Sequence, residues 1–256
     1  MKKLVIKTEK TVNYTYKKDG LPSIPTIFLH GFTGSHHSWD EVVMELNDTV
    51  ITLDIPGHGK SYFKNIDINY DIDDWCEDFQ EVLRSLNISK MNLCGYSMGG
   101  RLAIAFSSKY PEMINKLILE SASYGIENKK DREERLKADL EICSIIESDL
   151  ALFIENWENN KLFSKQEGRN PEMFLKQRNQ RLSSNPMQLS KALKSFSQGN
   201  MGYYLKNISK FKFPIIIING VEDDKYVNLG RQLDTFSRSS KQHIILECGH
   251  NVHFEK

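Results

Sequence analysis

The chain has no surplus of either charge: lysine plus arginine and aspartate plus glutamate each total 34 in 256 residues. No global field favours nucleic acid or a charged membrane surface as partner, so any electrostatic recognition has to be local. Long apolar runs are missing too. No stretch approaches the roughly 20 residues of a membrane span, and the start, Met-Lys-Lys-Leu-Val-Ile-Lys, is too polar for a secretory signal. The four cysteines, Cys76, Cys94, Cys143 and Cys248, show no Cys-x-x-Cys spacing. They read as free thiols in a reducing compartment, and a cytoplasmic location is the expectation. His30, His36, His37 and His58 have no ligand-like spacing that pairs with carboxylates, so neither a metal nor a cofactor is expected. Repeats and low-complexity tracts are also lacking.

What the sequence does contain is an alternation of short apolar runs and amphipathic stretches. Residues 26–30, 50–53, 91–94 and 116–119 read as strands, and the first and last are nearly apolar throughout, as strands covered on both faces should be. Between them Ile72, Trp75, Cys76, Phe79, Val82, Leu83 and Leu86 recur three and four apart, on one helix face. The pattern predicts an α/β fold with a mostly parallel sheet, helices on both faces, and an antiparallel pair from residues 4–18 at the edge. From about Tyr124 to Leu205 no strand-like run occurs, and Leu136, Leu140, Cys143, Ile146, Leu150 and Phe153 fall at helical intervals. Strand patterns return at 214–219 and 243–246. The expected organisation is one core, residues 1–123 and 206–256, interrupted by a helical cap, residues 124–205.

The most informative segment is an apolar strand running into Gly95-Tyr96-Ser97-Met98-Gly99 and then a helix. A serine in that turn sits in strained backbone at a helix N-terminus, with glycines removing the Cβ atoms that would collide. It needs a base and the base needs an orienting acid. Asp223 follows the strand at 214–219, and His250 follows the strand at 243–246, giving the order Ser97, Asp223, His250. Glu222 and Asp224 compete for the acid's role, and His253 and His243 for the base's. Ser97 read alone could be a structural cap. An oxyanion hole needs two backbone N–H groups; Met98 would supply one and Phe32, in the glycine-flanked loop after residue 30, the other.

Residues 30–34, 54–61 and 95–101 with Gly249-His250 resemble the α/β-hydrolase superfamily over essentially the whole chain. Narrower features resemble one family within it, the 2-succinyl-6-hydroxy-2,4-cyclohexadiene-1-carboxylate synthases of menaquinone biosynthesis. These are residues 30–39, 95–101, 180–186, 220–225 and 249–253, with Arg135 and Trp157. The resemblance implies an α/β-hydrolase fold and elimination of pyruvate from 2-succinyl-5-enolpyruvyl-6-hydroxy-3-cyclohexene-1-carboxylate. It also implies substrate-binding roles for Tyr96, Arg101, Arg135, Trp157 and Arg181. Two departures stand against it. Gly199-Asn-Met-Gly-Tyr lies where the family often has Gly-Thr-Gly followed by glutamine, and only six residues follow His250 where the fold normally adds a helix.

Arginines suit a small polyanionic substrate, because each arginine–carboxylate hydrogen bond contributes roughly 1.5–3 kcal/mol, whereas a cation beside the nucleophile does nothing for a neutral ester. The plainer readings are a surface ion pair of Arg135 with Asp139 and solvated cap positions for Arg178 and Arg181. Trp157 alone reads as cap packing. Two rival functions follow: a serine hydrolase of esters or carbon–carbon bonds, and a non-catalytic small-ligand receptor. A monomer or homodimer is expected.

Overall fold

The computed structural model describes the backbone of residues 1–256 and every side chain except those of Leu21, Pro22 and Ser23. One sheet contains β1 (Lys2–Lys7), β2 (Thr11–Lys18), β3 (Leu21–Leu29), β4 (Asp48–Leu53), β5 (Tyr62–Phe63), β6 (Met91–Tyr96), β7 (Ile114–Glu120), β8 (Ile215–Gly220) and β9 (Ser240–Ile245). Along it the order is β1-β2-β4-β3-β6-β7-β8-β9, with β5 beside β2. The pairings that involve β1, β2 and β5 are antiparallel, and every pairing from β4 to β9 is parallel. This is the mostly parallel α/β architecture predicted from the alternation. Two details differ. β5 is too short to leave a periodic signal, and β9 begins three residues before the run at 243–246 and leaves Leu246 69 % exposed. As an edge strand with one covered face, β9 does not need the continuous apolar run of a central strand.

The core helices are α1 (Asp40–Glu45), α2 (Ile72–Ser85) and α3 (Met98–Lys109). The N-terminus of α2 is set by Asp71, whose side chain accepts the Asp73 and Asp74 N–H groups while Asp74 returns a bond to the Asp71 N–H. Its predicted apolar face is buried against the sheet. Helix α3 is buried almost all round, and Leu102, Ile104 and Phe106 are fully covered; each such side chain contributes about 2 kcal/mol of transfer free energy. That burial anchors the helix whose first turn carries the site.

Between β7 and β8 lie α4 (Lys129–Ser148), α5 (Leu150–Glu158), α6 (Gln166–Arg169), α7 (Pro171–Leu182), α8 (Pro186–Ser195) and α9 (Leu205–Ile208). The excursion leaves and returns at one point, where the Tyr204 N–H donates to the Tyr124 carbonyl over 2.8 Å. Its interior packs Cys143, Ile146, Phe153, Ile154, Leu189 and Leu193 together, with Phe32 and Trp157 against them. The stripe read through Leu140 and Leu150 is interrupted. Asp149 ends α4 and accepts the Leu152 N–H to start α5, and Leu140 is 44 % exposed. The core resumes with α10 (Asp224–Phe236) and ends in α11 (Val252–Glu255).

All four cysteines are free and buried, and burial pushes each thiol upward from its ordinary pKa. Among the described residues no helix is long and apolar enough to cross a membrane, and no cluster of three or more histidine, cysteine or acidic residues could hold a metal.

Candidate active site

Ser97 stands between β6 and α3 with φ +51° and ψ −108°, a conformation that side-chain-bearing residues rarely adopt. The turn closes because its neighbours are glycines. A Cβ on Gly95 would lie 2.4 Å from the Gly99 carbonyl oxygen, and one on Gly99 would lie 2.4 Å from that of Leu29. Ser97 makes no side-chain cap bond to α3, which removes the structural-cap reading. Its Oγ lies 3.0 Å from His250 Nε2, and His250 Nδ1 lies 2.6 Å from Asp223 Oδ2. Both partners are nearly inaccessible, His250 at 2 % and Asp223 at 4 %. The structure thus brings together three side chains from the ends of β6, β8 and β9.

The competing residues stand elsewhere, two of them engaged and two exposed. Glu222 pairs with Lys165 and Arg169, which hold its carboxyl below the usual range. Asp224 is exposed in the first turn of α10, His243 is exposed within β9, and His253 bonds to Glu120.

Phe32 and Met98 border the same space. Among the described residues neither backbone N–H donates to a protein acceptor, so both are available to an incoming oxygen. The loop carrying Phe32 is shaped by the preceding His30. Its Nε2 accepts the Ile55 N–H at 3.0 Å while its Nδ1 lies 2.7 Å from the Gly31 carbonyl, an arrangement that requires the neutral ring with Nδ1 protonated. Burial accordingly lowers the His30 pKa to about 4.

A cavity of about 330 Å³ joins these groups, and Tyr96, Arg101, Arg135, Trp157 and Arg181 all line it with Ser97 and His250. A neighbouring cavity of about 340 Å³, between α1 and α7, holds none of the three triad-like side chains. The three arginines differ in state. Arg101 is 7 % exposed, donates to the Phe196 carbonyl at 2.9 Å, and has an Nε with no partner. Among the described residues no carboxylate forms an ion pair with it, and burial lowers its pKa to about 10, with Arg135 adding to the effect and Tyr226 and Asp139 opposing it. Arg135 gives its Nε to Asp139 over 2.8 Å, as the ion-pair reading expected, but Asp139 is buried and also takes the Ser197 hydroxyl. Arg181 is fully engaged by Glu158, Gln177 and Thr33, so its charge is already compensated. Burial still lowers its pKa, against the opposing pull of Glu158. Trp157 packs edge to face on Phe32 at 5.5 Å, combining cap packing with a cavity wall.

Sequence reasoning missed several neighbours. Tyr226 lies 4.4 Å from the His250 ring between centroids, one turn after Asp223, and its place in the first turn of α10 was the available signal. Phe163, 5.7 Å from the same ring, comes from the segment between α5 and α6, which has no regular pattern to mark it. Gln198, buried beside the cavity, sits just before the segment Gly199-Asn-Met-Gly-Tyr that departs from the family pattern.

A family model described as the alpha/beta hydrolase fold matches residues 25–256. A protein of Bacillus subtilis (strain 168) named putative 2-succinyl-6-hydroxy-2,4-cyclohexadiene-1-carboxylate synthase is 32 % identical over 232 residues, covering 90 % of this chain and 85 % of that one. A protein of Escherichia coli (strain K12 / DH10B) with the same name, not qualified as putative, is 28 % identical over 242 residues, covering 93 % and 91 %. Among solved structures, MenH from S. aureus superposes with a TM-score of 0.89 at 29 % identity, covering 94 % of this chain and 92 % of the other.

Proposed function

This chain belongs to the α/β-hydrolase fold family and within it to the 2-succinyl-6-hydroxy-2,4-cyclohexadiene-1-carboxylate synthases, and on that footing we propose that it eliminates pyruvate from 2-succinyl-5-enolpyruvyl-6-hydroxy-3-cyclohexene-1-carboxylate in menaquinone biosynthesis. The observation that carries this reading is Arg101: a buried cation with no carboxylate bonded to it among the described residues, in the same cavity as Ser97 and His250. Leaving such a charge unpaired costs several kcal/mol, a cost that makes sense when the ligand brings the counter-charge. The substrate has three carboxylates. Arg101 takes one, and Arg135, whose terminal amino groups have no protein partner among the described residues, takes another. Arg181 shapes the wall through Glu158 more than it neutralises the ligand.

In this mechanism Ser97 removes the proton next to the succinyl carbonyl as its own proton passes to His250 Nε2. Asp223 holds Nδ1–H and stabilises the imidazolium. Negative charge moves onto the carbonyl oxygen, where the Phe32 and Met98 N–H groups receive it. The carbon–oxygen bond to the enolpyruvyl group then breaks, the ring gains its second double bond, and the departing enolate takes a proton and becomes pyruvate. No acyl-enzyme forms. Tyr96 and Trp157 wall the ring-binding space. The small-molecule substrate is the only partner this requires, and a cytoplasmic enzyme with thiols kept reduced fits its buried cysteines. The test is coupled detection of pyruvate from the precursor with wild-type protein and Ser97→Ala; release that continues unchanged without the hydroxyl ends the proposal.

A further inference from the structure

β7 ends at Glu120, which stands opposite Tyr96 in the register of β6 and β7. Its carbonyl accepts the Ser97 N–H at 2.9 Å. Its carboxylate belongs to a different set of bonds: Oε1 accepts the Val252 N–H at 2.7 Å and the His253 N–H at 3.2 Å, and His253 Nδ1 lies 2.9 Å from both oxygens. Those donors begin two residues after His250. A single residue therefore grips the nucleophile's backbone with one group and the base's segment with another. The His253 ring adds a second link, stacked on Trp39 at 4.0 Å and edge-on to Tyr96, the residue before Ser97, at 5.1 Å.

Glu120 is 3 % exposed and among the described residues no lysine or arginine bridges to it; the His253 ring is its side-chain partner. A buried carboxylate is costly unless hydrogen-bonded, and an apolar side chain would close the same end of the sheet more cheaply. What it uniquely supplies is an acceptor for three donors at a fixed place relative to Ser97. We propose that Glu120 is a positioning residue that sets the approach of His250 to Ser97, with His253 completing the clamp. The inference rests on Ser97 and His250 acting as nucleophile or base pair, and not on the identity of the substrate.

The experiment measures the rate at which a serine-directed fluorophosphonate labels Ser97 in folded wild type, Glu120→Ala, Glu120→Gln and His253→Gln. Misplacing reacting groups by about 1 Å can cost on the order of a hundredfold in rate. The expectation is at least a roughly tenfold slowing for Glu120→Ala, and a smaller one, about threefold or more, for Glu120→Gln, which keeps one acceptor for the Val252 N–H. In the pyruvate assay kcat should fall in parallel while KM changes less than about twofold, as expected when an interaction made only in the transition state is removed. A purely structural role would lower the melting temperature and leave labelling of the folded fraction unchanged. Labelling at the wild-type rate in Glu120→Ala overturns the proposal. If that variant does not fold, wild-type rates in both Glu120→Gln and His253→Gln do so. Wild-type protein that labels readily but releases no pyruvate would refute the proposed reaction and leave this inference standing.

Discussion

Replacing Arg101 with methionine should move stability and activity in opposite directions. The guanidinium is buried, has one bond to the Phe196 carbonyl and leaves its Nε unpartnered. Losing that bond costs about 1 kcal/mol, but the desolvation of the cation, several kcal/mol, disappears with it. Its depressed pKa says the same: a cation titrating near 10 when folded and well above that when unfolded costs stability at every pH below about 10. The cost is relieved only as pH rises through that window. A net gain of roughly 1–2 kcal/mol follows, which raises the Tm of a chain this size by about 2–8 °C. Catalysis should suffer. An arginine–carboxylate hydrogen bond is worth roughly 1.5–3 kcal/mol, so its absence from the transition state lowers kcat/KM by about 10- to 150-fold. The assays are thermal unfolding without ligand and steady-state pyruvate release, run on the same preparations. A variant less stable than wild type, or one with undiminished kcat/KM, would refute the claim that Arg101 waits for an anion.

Other expectations follow from the same geometry. Asp223→Asn should reduce kcat on the order of 10⁴-fold with little change in fold, because the amide presents the wrong partner to His250 Nδ1; circular dichroism and the pyruvate assay together check this. Glu158→Gln should destabilise the protein by about 3 kcal/mol, since it strands buried Arg181 as well as Arg178, and urea unfolding measures it. Acid should weaken the fold before the carboxylates titrate. His30 and His58 are held neutral by burial, with pKa values lowered to about 4 and about 3 from 6.5. The unfolded chain therefore binds up to two more protons as pH falls from about 6.5 towards 4, and stability declines by up to about 2.7 kcal/mol per pH unit. His58→Phe should roughly halve that slope in urea titrations at stepped pH.

The elbow was legible because its geometry demands particular residues: Gly95 and Gly99 are where other backbone comes within 2.4 Å of a would-be Cβ, so steric need wrote itself into the sequence. Asp223 and His250 were legible because strand ends place them, and strands announce themselves as apolar runs. The cap was read as helical but its breaks were not, since Asp149 ends one helix and starts the next through a local side-chain bond that periodicity does not register. Arg181 illustrates the deeper limit. Its partner Glu158 lies on another helix, and no spacing rule relates them. The pairing of Glu120 with His253 was obscure for the same reason, the two being 133 residues apart and joined only by the fold.

The hydrogen bond between Tyr204 and Tyr124 at the neck of the insertion has an evolutionary corollary. With both stems stapled together, the roughly eighty residues beyond them can lengthen, shorten or be exchanged without altering the span the sheet must bridge. Novel specificities can thus arise by rewriting one contiguous block of coding sequence while the sheet and the turn at Ser97 stay as inherited.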